Sequence, residues 1–271
     1  MQEKLIYSKV KTNNGTMGYV KFGSGPPLIM ITRYAATLFN WDSDLVLGLS
    51  KKFTLYLFDL RLVGSSQTQN DEDILGCIND VYEAVSKLDL KQYIILGWSF
   101  GGVIAQHYYR AFADKIVGMV LLSSFPNPQL ASSEFINLSM GTNSDLSDED
   151  KLKLYYLMVS ELPNPEIPNW LKTNTLNIES YDYRYTIEAK ILHNKFVHSS
   201  IASTSEDLRA IKVPCLILNA KNDVSFPASG REMFIKNIPE SKMIIYPSGG
   251  HLLIHHHGAE IAMDITNYFY D

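Results

Sequence analysis

The sequence predicts an α/β fold: a mostly parallel central sheet with helices on both faces and a helical cap inserted into it. Short apolar runs of four to seven residues alternate with helical segments, the pattern of strands buried on both faces and joined by crossover helices. One run, Tyr93-Ile94-Ile95-Leu96, leads through Gly97-Trp98-Ser99-Phe100-Gly101 straight into a helix start at Gly102-Val103-Ile104-Ala105. Between about Pro126 and Asp207 the alternation stops, and helical patterns rich in Leu, Tyr and Met, punctuated by Pro163, Pro165 and Pro168, take over. The chain therefore divides into a core of residues 1–125 and 208–271 and a cap of residues 126–207. Such a cap would roof the carboxyl ends of the strands, where open α/β sheets bind ligands.

In chain order, residues 4–10 and 17–22 read as two strands around the turn Asn13-Asn14-Gly15. After Gly23-Ser24-Gly25-Pro26-Pro27, Leu28-Ile29-Met30-Ile31 is a short buried strand, and Phe53–Phe58 is another, ending at Asp59. From Asp71 to Leu88 the apolar residues Ile74, Cys77, Ile78, Val81, Val85 and Leu88 share one helical face. The strand and helix around Ser99 follow, then strands over Ile116–Leu122 and Val213–Leu218. Phe226–Ile238 is helical, with Pro227 tolerable in its first turn. Met243–Tyr246 is a last short strand and Ala259–Phe269 a closing helix.

Composition narrows the function classes. With 271 residues, 46% of them hydrophobic and 20% charged, the chain has the make-up of a soluble α/β core with an insertion. A net charge of −5 without a basic run argues against nucleic-acid or anionic-membrane partners. The N-terminus lacks the apolar core of a secretory signal, and no apolar run reaches the ~20 residues that span a bilayer. Cys77 and Cys215, in helical and strand contexts, read as buried thiols of a reducing compartment, so a cytoplasmic monomer or homodimer is expected.

The turn around Ser99 carries the chemistry. Glycine on both sides lets strand and helix pass closely while the serine takes a strained backbone conformation, the geometry of a nucleophile elbow. A serine hydroxyl needs a base, and the base an orienting carboxylate. Asp223 lies a few residues beyond the strand ending at Leu218, and His251 follows Tyr246-Pro247-Ser248-Gly249-Gly250, again just past a strand. Three functional groups at the carboxyl ends of three strands make Ser99, Asp223 and His251 the candidate catalytic set. His255, His256 and His257 are the rivals of His251 and read as surface residues. Their run lacks the Cys or carboxylate spacing of a metal site, so neither metal nor cofactor is expected. His107, His193 and His198 read as packing or solvent residues, and Arg61 as a structural ion-pair residue.

With these residues in hand, the chain resembles the α/β-hydrolase superfamily, in its compact esterase-like branch, over nearly its full length. The resemblance rests on Gly97-Trp98-Ser99-Phe100-Gly101-Gly102, on Val213–Leu218 leading to Asp223, on Gly250-His251, and on Asp59-Leu60-Arg61-Leu62-Val63-Gly64-Ser65-Ser66. Where some relatives carry the acid after the next strand, this chain reads Ser123-Ser124-Phe125. It has Thr32-Arg33 where the family often has His-Gly, and Leu62 where a glycine is usual. The resemblance implies a Ser-His-Asp serine hydrolase acting on small to medium apolar esters or lactones, with the backbone N–H groups of Tyr34 and Phe100 as oxyanion donors. It fits a carboxylesterase, an enol-lactone hydrolase and a metal-free perhydrolase equally well. It also implies a substrate pocket near Trp98, Phe125 and Val224, with core packing as the equal alternative for Trp98. Aromatic residues of the cap, among them Tyr155, Tyr156 and Trp170, fit an apolar roof or simple packing onto the core. The competing function is a ligand-binding or signalling protein on the same fold, with slow or no turnover.

Overall fold

The computed structural model describes residues 5–33, 36–64, 66–68, 74–127, 201–223, 225–226 and 228–270, together with residues 130, 133, 147 and 178–179. The expected cap of residues 126–207, with its proline and aromatic positions and with His193 and His198, lies almost wholly outside the described residues.

The strands are β1 (Leu5–Thr12), β2 (Gly15–Gly23), β3 (Pro27–Ile31), β4 (Thr54–Phe58), the short β5 (Gln67–Thr68), β6 (Tyr93–Trp98), β7 (Ile116–Leu122), the two-residue β8 (Ile178–Glu179), β9 (Cys215–Ala220) and β10 (Ser241–Tyr246). They form one sheet in the order β10-β9-β7-β6-β3-β4-β2-β1-β8, with β5 beside β2. From β10 to β4 every neighbouring pair is parallel. The hairpin β1–β2 and the pairs β2–β4 and β2–β5 are antiparallel. β8 falls in the stretch expected to be helical, and it pairs with Leu5 and Ile6 at the sheet edge.

The central strands read as unbroken apolar runs because both faces are covered, and their residues alternate between two cores. Ile29, Ile31, Ile95, Met119, Leu121 and Ile217 point into one. Leu28, Met30, Ile94, Leu96, Val120, Leu122 and Leu218 point into the other. The first core is closed by α2 (Ile74–Lys87) and α3 (Phe100–Phe112), and by Leu208 of the short α4 (Ser205–Arg209) and Phe234 of α5 (Ala228–Asn237). The second is closed by α1 (Ser43–Ser50) and α6 (Ile254–Tyr270).

Three helices differ from the sequence expectation: α4 was not foreseen and straddles the expected boundary at residues 207 and 208, and α1 and α6 differ as follows. α1 was not foreseen; it spans eight residues, too few for a clear period, and Leu45, Val46 and Leu49 form its buried face. Its start is fixed by Asp42, whose side chain accepts from the N–H groups of Asp44 and Leu45. α6 begins at Ile254 instead of Ala259, so His255, His256 and His257 belong to its first turns. The surface reading of these histidines is corrected: all three are partly buried, and the clearest case is His255. Its side chain is 3% exposed, with Nδ1 3.6 Å from the Asp42 carboxylate, because α6 packs against the start of α1. Gly258 permits this approach, since a Cβ there would come 2.1 Å from Asp42 Oδ1.

The loop after β4 is a structural knot. Asp59 accepts from the Tyr7 hydroxyl and the Leu38 N–H, and Arg61 Nε donates to Asp80 of α2 at 2.6 Å within a buried ion pair. Leu62 stands at φ 63°, so a left-handed backbone is held here by a residue that disfavours it. Both cysteines are buried thiols, neither of them in a disulfide. Among the described residues no helix is long and apolar enough to cross a membrane.

Candidate active site

The site is built at the carboxyl edge of β6, β7, β9 and β10. β6 ends at Trp98, and the chain reverses into α3 within one residue, which puts Ser99 at φ 54°, ψ −115°. That conformation is unfavourable for any residue with a Cβ and persists only because its surroundings over-determine it. Three hydrogen bonds do so. The Ser99 N–H donates to the Leu122 carbonyl at 2.8 Å, and the Ser99 carbonyl accepts from the Gly102 N–H and from Ser124 Oγ, each at 2.9 Å.

The flanking glycines are a steric necessity. A Cβ on Gly97 would lie 2.3 Å from the Gly101 carbonyl oxygen, and one on Gly101 would lie 2.2 Å from that of Ile31. Both obstacles are backbone and cannot swing aside. Gly101→Ala is therefore expected to destabilise the protein by about 3 kcal/mol or more, the range of severe core overpacking. Urea unfolding checks this, and an unchanged midpoint would show that the elbow has slack.

Ser99, Asp223 and His251 meet. Ser99 Oγ is 2.8 Å from His251 Nε2, and His251 Nδ1 is 3.0 Å from Asp223 Oδ2. The Ser225 N–H donates to the other carboxylate oxygen, Asp223 Oδ1, at 2.9 Å. All three are shielded from water, at 5%, 5% and 1% exposed for Ser99, Asp223 and His251. An ionised Asp223 only accepts, so the His251 proton sits on Nδ1 and Nε2 is left to accept the Ser99 hydroxyl. The arrangement can thus move the serine proton onto an imidazole whose positive charge is met by a buried carboxylate.

Phe100 opens α3, so its N–H lies at the positive end of the helix, directly after the serine. The second candidate donor, Tyr34, lies outside the described residues, as does Val224. Before Tyr34, the Arg33 guanidinium sits 5.2 Å from the Trp98 ring centre.

Phe125 is beside the triad through a residue that sequence reasoning missed: Phe226 stacks on Phe125 at 3.7 Å between ring centres and lies 5.3 Å from the His251 ring. The cue was available, since Phe226 follows Asp223 by three positions in the same loop. Ser124, which holds the Ser99 carbonyl, was noted only for lacking a carboxylate. Trp98 does not join Phe125. Strand parity puts it on the opposite face, fully buried against Trp41 at 5.4 Å and edge-on to His255 at 5.9 Å. Its place is in the α1–α6 core, which is the packing alternative. His107, on α3, is held below the ordinary imidazole pKa by burial and then by the charge of Arg110, partly offset by Asp207. Among the described residues no group of three or more His, Cys, Asp and Glu side chains could hold a metal ion.

The sequence model of the alpha/beta hydrolase fold family matches residues 26–257. A pimeloyl-[acyl-carrier protein] methyl ester esterase of Nitrosomonas europaea is 23% identical over 239 residues, covering 84% of this chain and 90% of the relative. A non-heme haloperoxidase of Rhodococcus erythropolis is 23% identical over 264 residues, covering 89% and 92%. Among solved structures, an alpha/beta hydrolase fold protein from Chitinophaga pinensis superposes with a TM-score of 0.81 at 19% identity, covering 98% of each chain.

Proposed function

Because the chain belongs to the alpha/beta hydrolase fold family, we propose that it is a serine hydrolase of carboxylic esters or lactones, acting through Ser99, His251 and Asp223. The observation that carries this reading is the unbroken hydrogen-bond chain from Ser99 Oγ through His251 to Asp223. In the first half-reaction Ser99 Oγ attacks the carbonyl carbon while His251 Nε2 takes its proton. The tetrahedral oxyanion is held by the N–H groups of Phe100 and Tyr34. His251 then protonates the departing alkoxide, leaving an acyl-serine. In the second half-reaction His251 activates a water that releases the acid and restores Ser99. Asp223 keeps the imidazole in the working tautomer and stabilises the imidazolium, without itself taking the proton.

The aromatic pair Phe125 and Phe226 supports an apolar acyl or aryl group on the substrate. The esterase relative is consistent with ester chemistry. A panel of p-nitrophenyl esters of increasing chain length, aryl esters and lactones tests the reading. Multiple turnovers on at least one ester or lactone are expected, with a fluorophosphonate labelling Ser99 and stopping the reaction. Labelling of Ser99 without turnover on any of them would favour the ligand-holding alternative.

A further inference from the structure

A second hydroxyl–imidazole–carboxylate chain stands on the loop and helix that follow β10, made of side chains that the Ser99 mechanism does not use. Ser248 Oγ lies 2.8 Å from His257 Nε2, and His257 Nδ1 lies 2.6 Å from Glu260 Oε2. An ionised Glu260 only accepts, so the proton on Nδ1 belongs to His257, and Nε2 is left to accept the Ser248 hydroxyl. This is the same connectivity, atom for atom, as Ser99 Oγ to His251 Nε2 and His251 Nδ1 to Asp223.

Packing fixes the imidazole in place. The His257 ring lies 4.9 Å from the ring of Tyr246, whose hydroxyl donates to Asp264 one turn beyond Glu260. The regular helical geometry of α6 breaks at His257 itself, with φ −129° and ψ 27°. Ser248 is half-buried and the His257 side chain is 12% exposed, so the pair can be reached from solvent.

We propose that Ser248 is a second acyl-accepting serine, a modification site for activated esters primed by His257 and Glu260. In the step, Ser248 Oγ bonds to the carbonyl carbon of an aryl ester and its proton passes to His257 Nε2. The bond to the aryl oxygen breaks, and His257 returns the proton to the departing aryl oxide, leaving an ester on Ser248. Two features separate this serine from Ser99. It does not immediately precede a helix as Ser99 does: it sits in a loop six residues before α6 begins at Ile254, so the N–H that follows it is not that of a helix start. Its carboxylate is 62% exposed, so water weakens the relay. Acylation is therefore slow and stops after one event per chain, where Ser99 would cycle.

The experiment uses the full-length Ser99→Ala protein with p-nitrophenyl acetate, read by intact mass and peptide mapping. One acetyl group per chain is expected, on Ser248. Adding His257→Gln is expected to slow its appearance by about 10-fold or more, and adding Glu260→Gln by about 3-fold. Absence of acetyl from Ser248, or its arrival at an unchanged rate in both relay variants, overturns the proposal. Glu260 is largely exposed and can be replaced without disturbing the core, so that variant decides the matter if the His257 variant misfolds. The result stands apart from Ser99 chemistry, because every arm is measured with Ser99 already removed.

Discussion

Ser99→Ala is expected to lower kcat/KM on short p-nitrophenyl esters by about 10⁴-fold or more, with the fold intact. The size of the effect follows from the division of labour in the site. Without Oγ there is no acyl-enzyme, and His251 and Asp223 are left orienting a proton relay with nothing to activate. The proposed oxyanion donors and pocket are untouched by the change, so a remnant of catalysis over water is expected to survive. The exchange costs little stability, because the strained turn is imposed by Gly97, Gly101 and the hydrogen bonds to the Ser99 backbone, none of which involves Oγ. Steady-state kinetics beside a melting curve separates the two quantities. Undiminished hydrolysis by this variant would sink the Ser99 mechanism.

Asp223→Asn is expected to reduce kcat by about 10³–10⁴-fold, a second large effect, reached by a different route. The Ser225 N–H donates to Asp223 Oδ1 and so dictates how an amide would sit there: the amide oxygen must take that position. The amide nitrogen then occupies the place of Oδ2 and points its hydrogen at His251 Nδ1. Nδ1 becomes the acceptor, the imidazole proton moves to Nε2, and the lone pair that should receive the Ser99 proton is lost. The variant keeps the shape and packing of the wild type, so KM for an apolar ester is expected to change little. A comparable loss in kcat with a large rise in KM would mean that the segment holding Ser225 and Phe226 had moved instead.

Much of this site was legible along the chain. Gly97 and Gly101 announced the elbow, because only a Cβ-free residue fits where two backbones nearly touch. Asp223 and His251 each followed an apolar strand at a turn rich in small residues. The buried Arg61–Asp80 pair also matched the structural part expected of Arg61. Other features were hidden for physical reasons. Eight residues of α1 carry too few apolar positions to show a period, and its cap, Asp42, is an ordinary aspartate until His255 is packed against it. Leu62 adopts the left-handed backbone that glycine would have signalled, and a leucine gives no hint of it. Phe226 was cued by its place three positions after Asp223, but its role showed only once it was stacked on Phe125 beside the His251 ring.

What the sequence determined by itself was local: which segments form the main strands, that their side chains alternate between two faces, and where the chain must reverse within a single residue. These follow from the two-residue period of a strand and from the steric demands of a Cβ. The tertiary structure decided what those local facts amount to together. Ser99 and His251 are 152 positions apart and His251 and Asp223 are 28 apart, yet they meet because the sheet is ordered β10-β9-β7-β6. The tertiary structure also put Trp98 and Phe125 in opposite cores and packed Phe226 beside His251. Strand order is set by the burial of both sheet faces at once, a non-local balance that no single segment encodes.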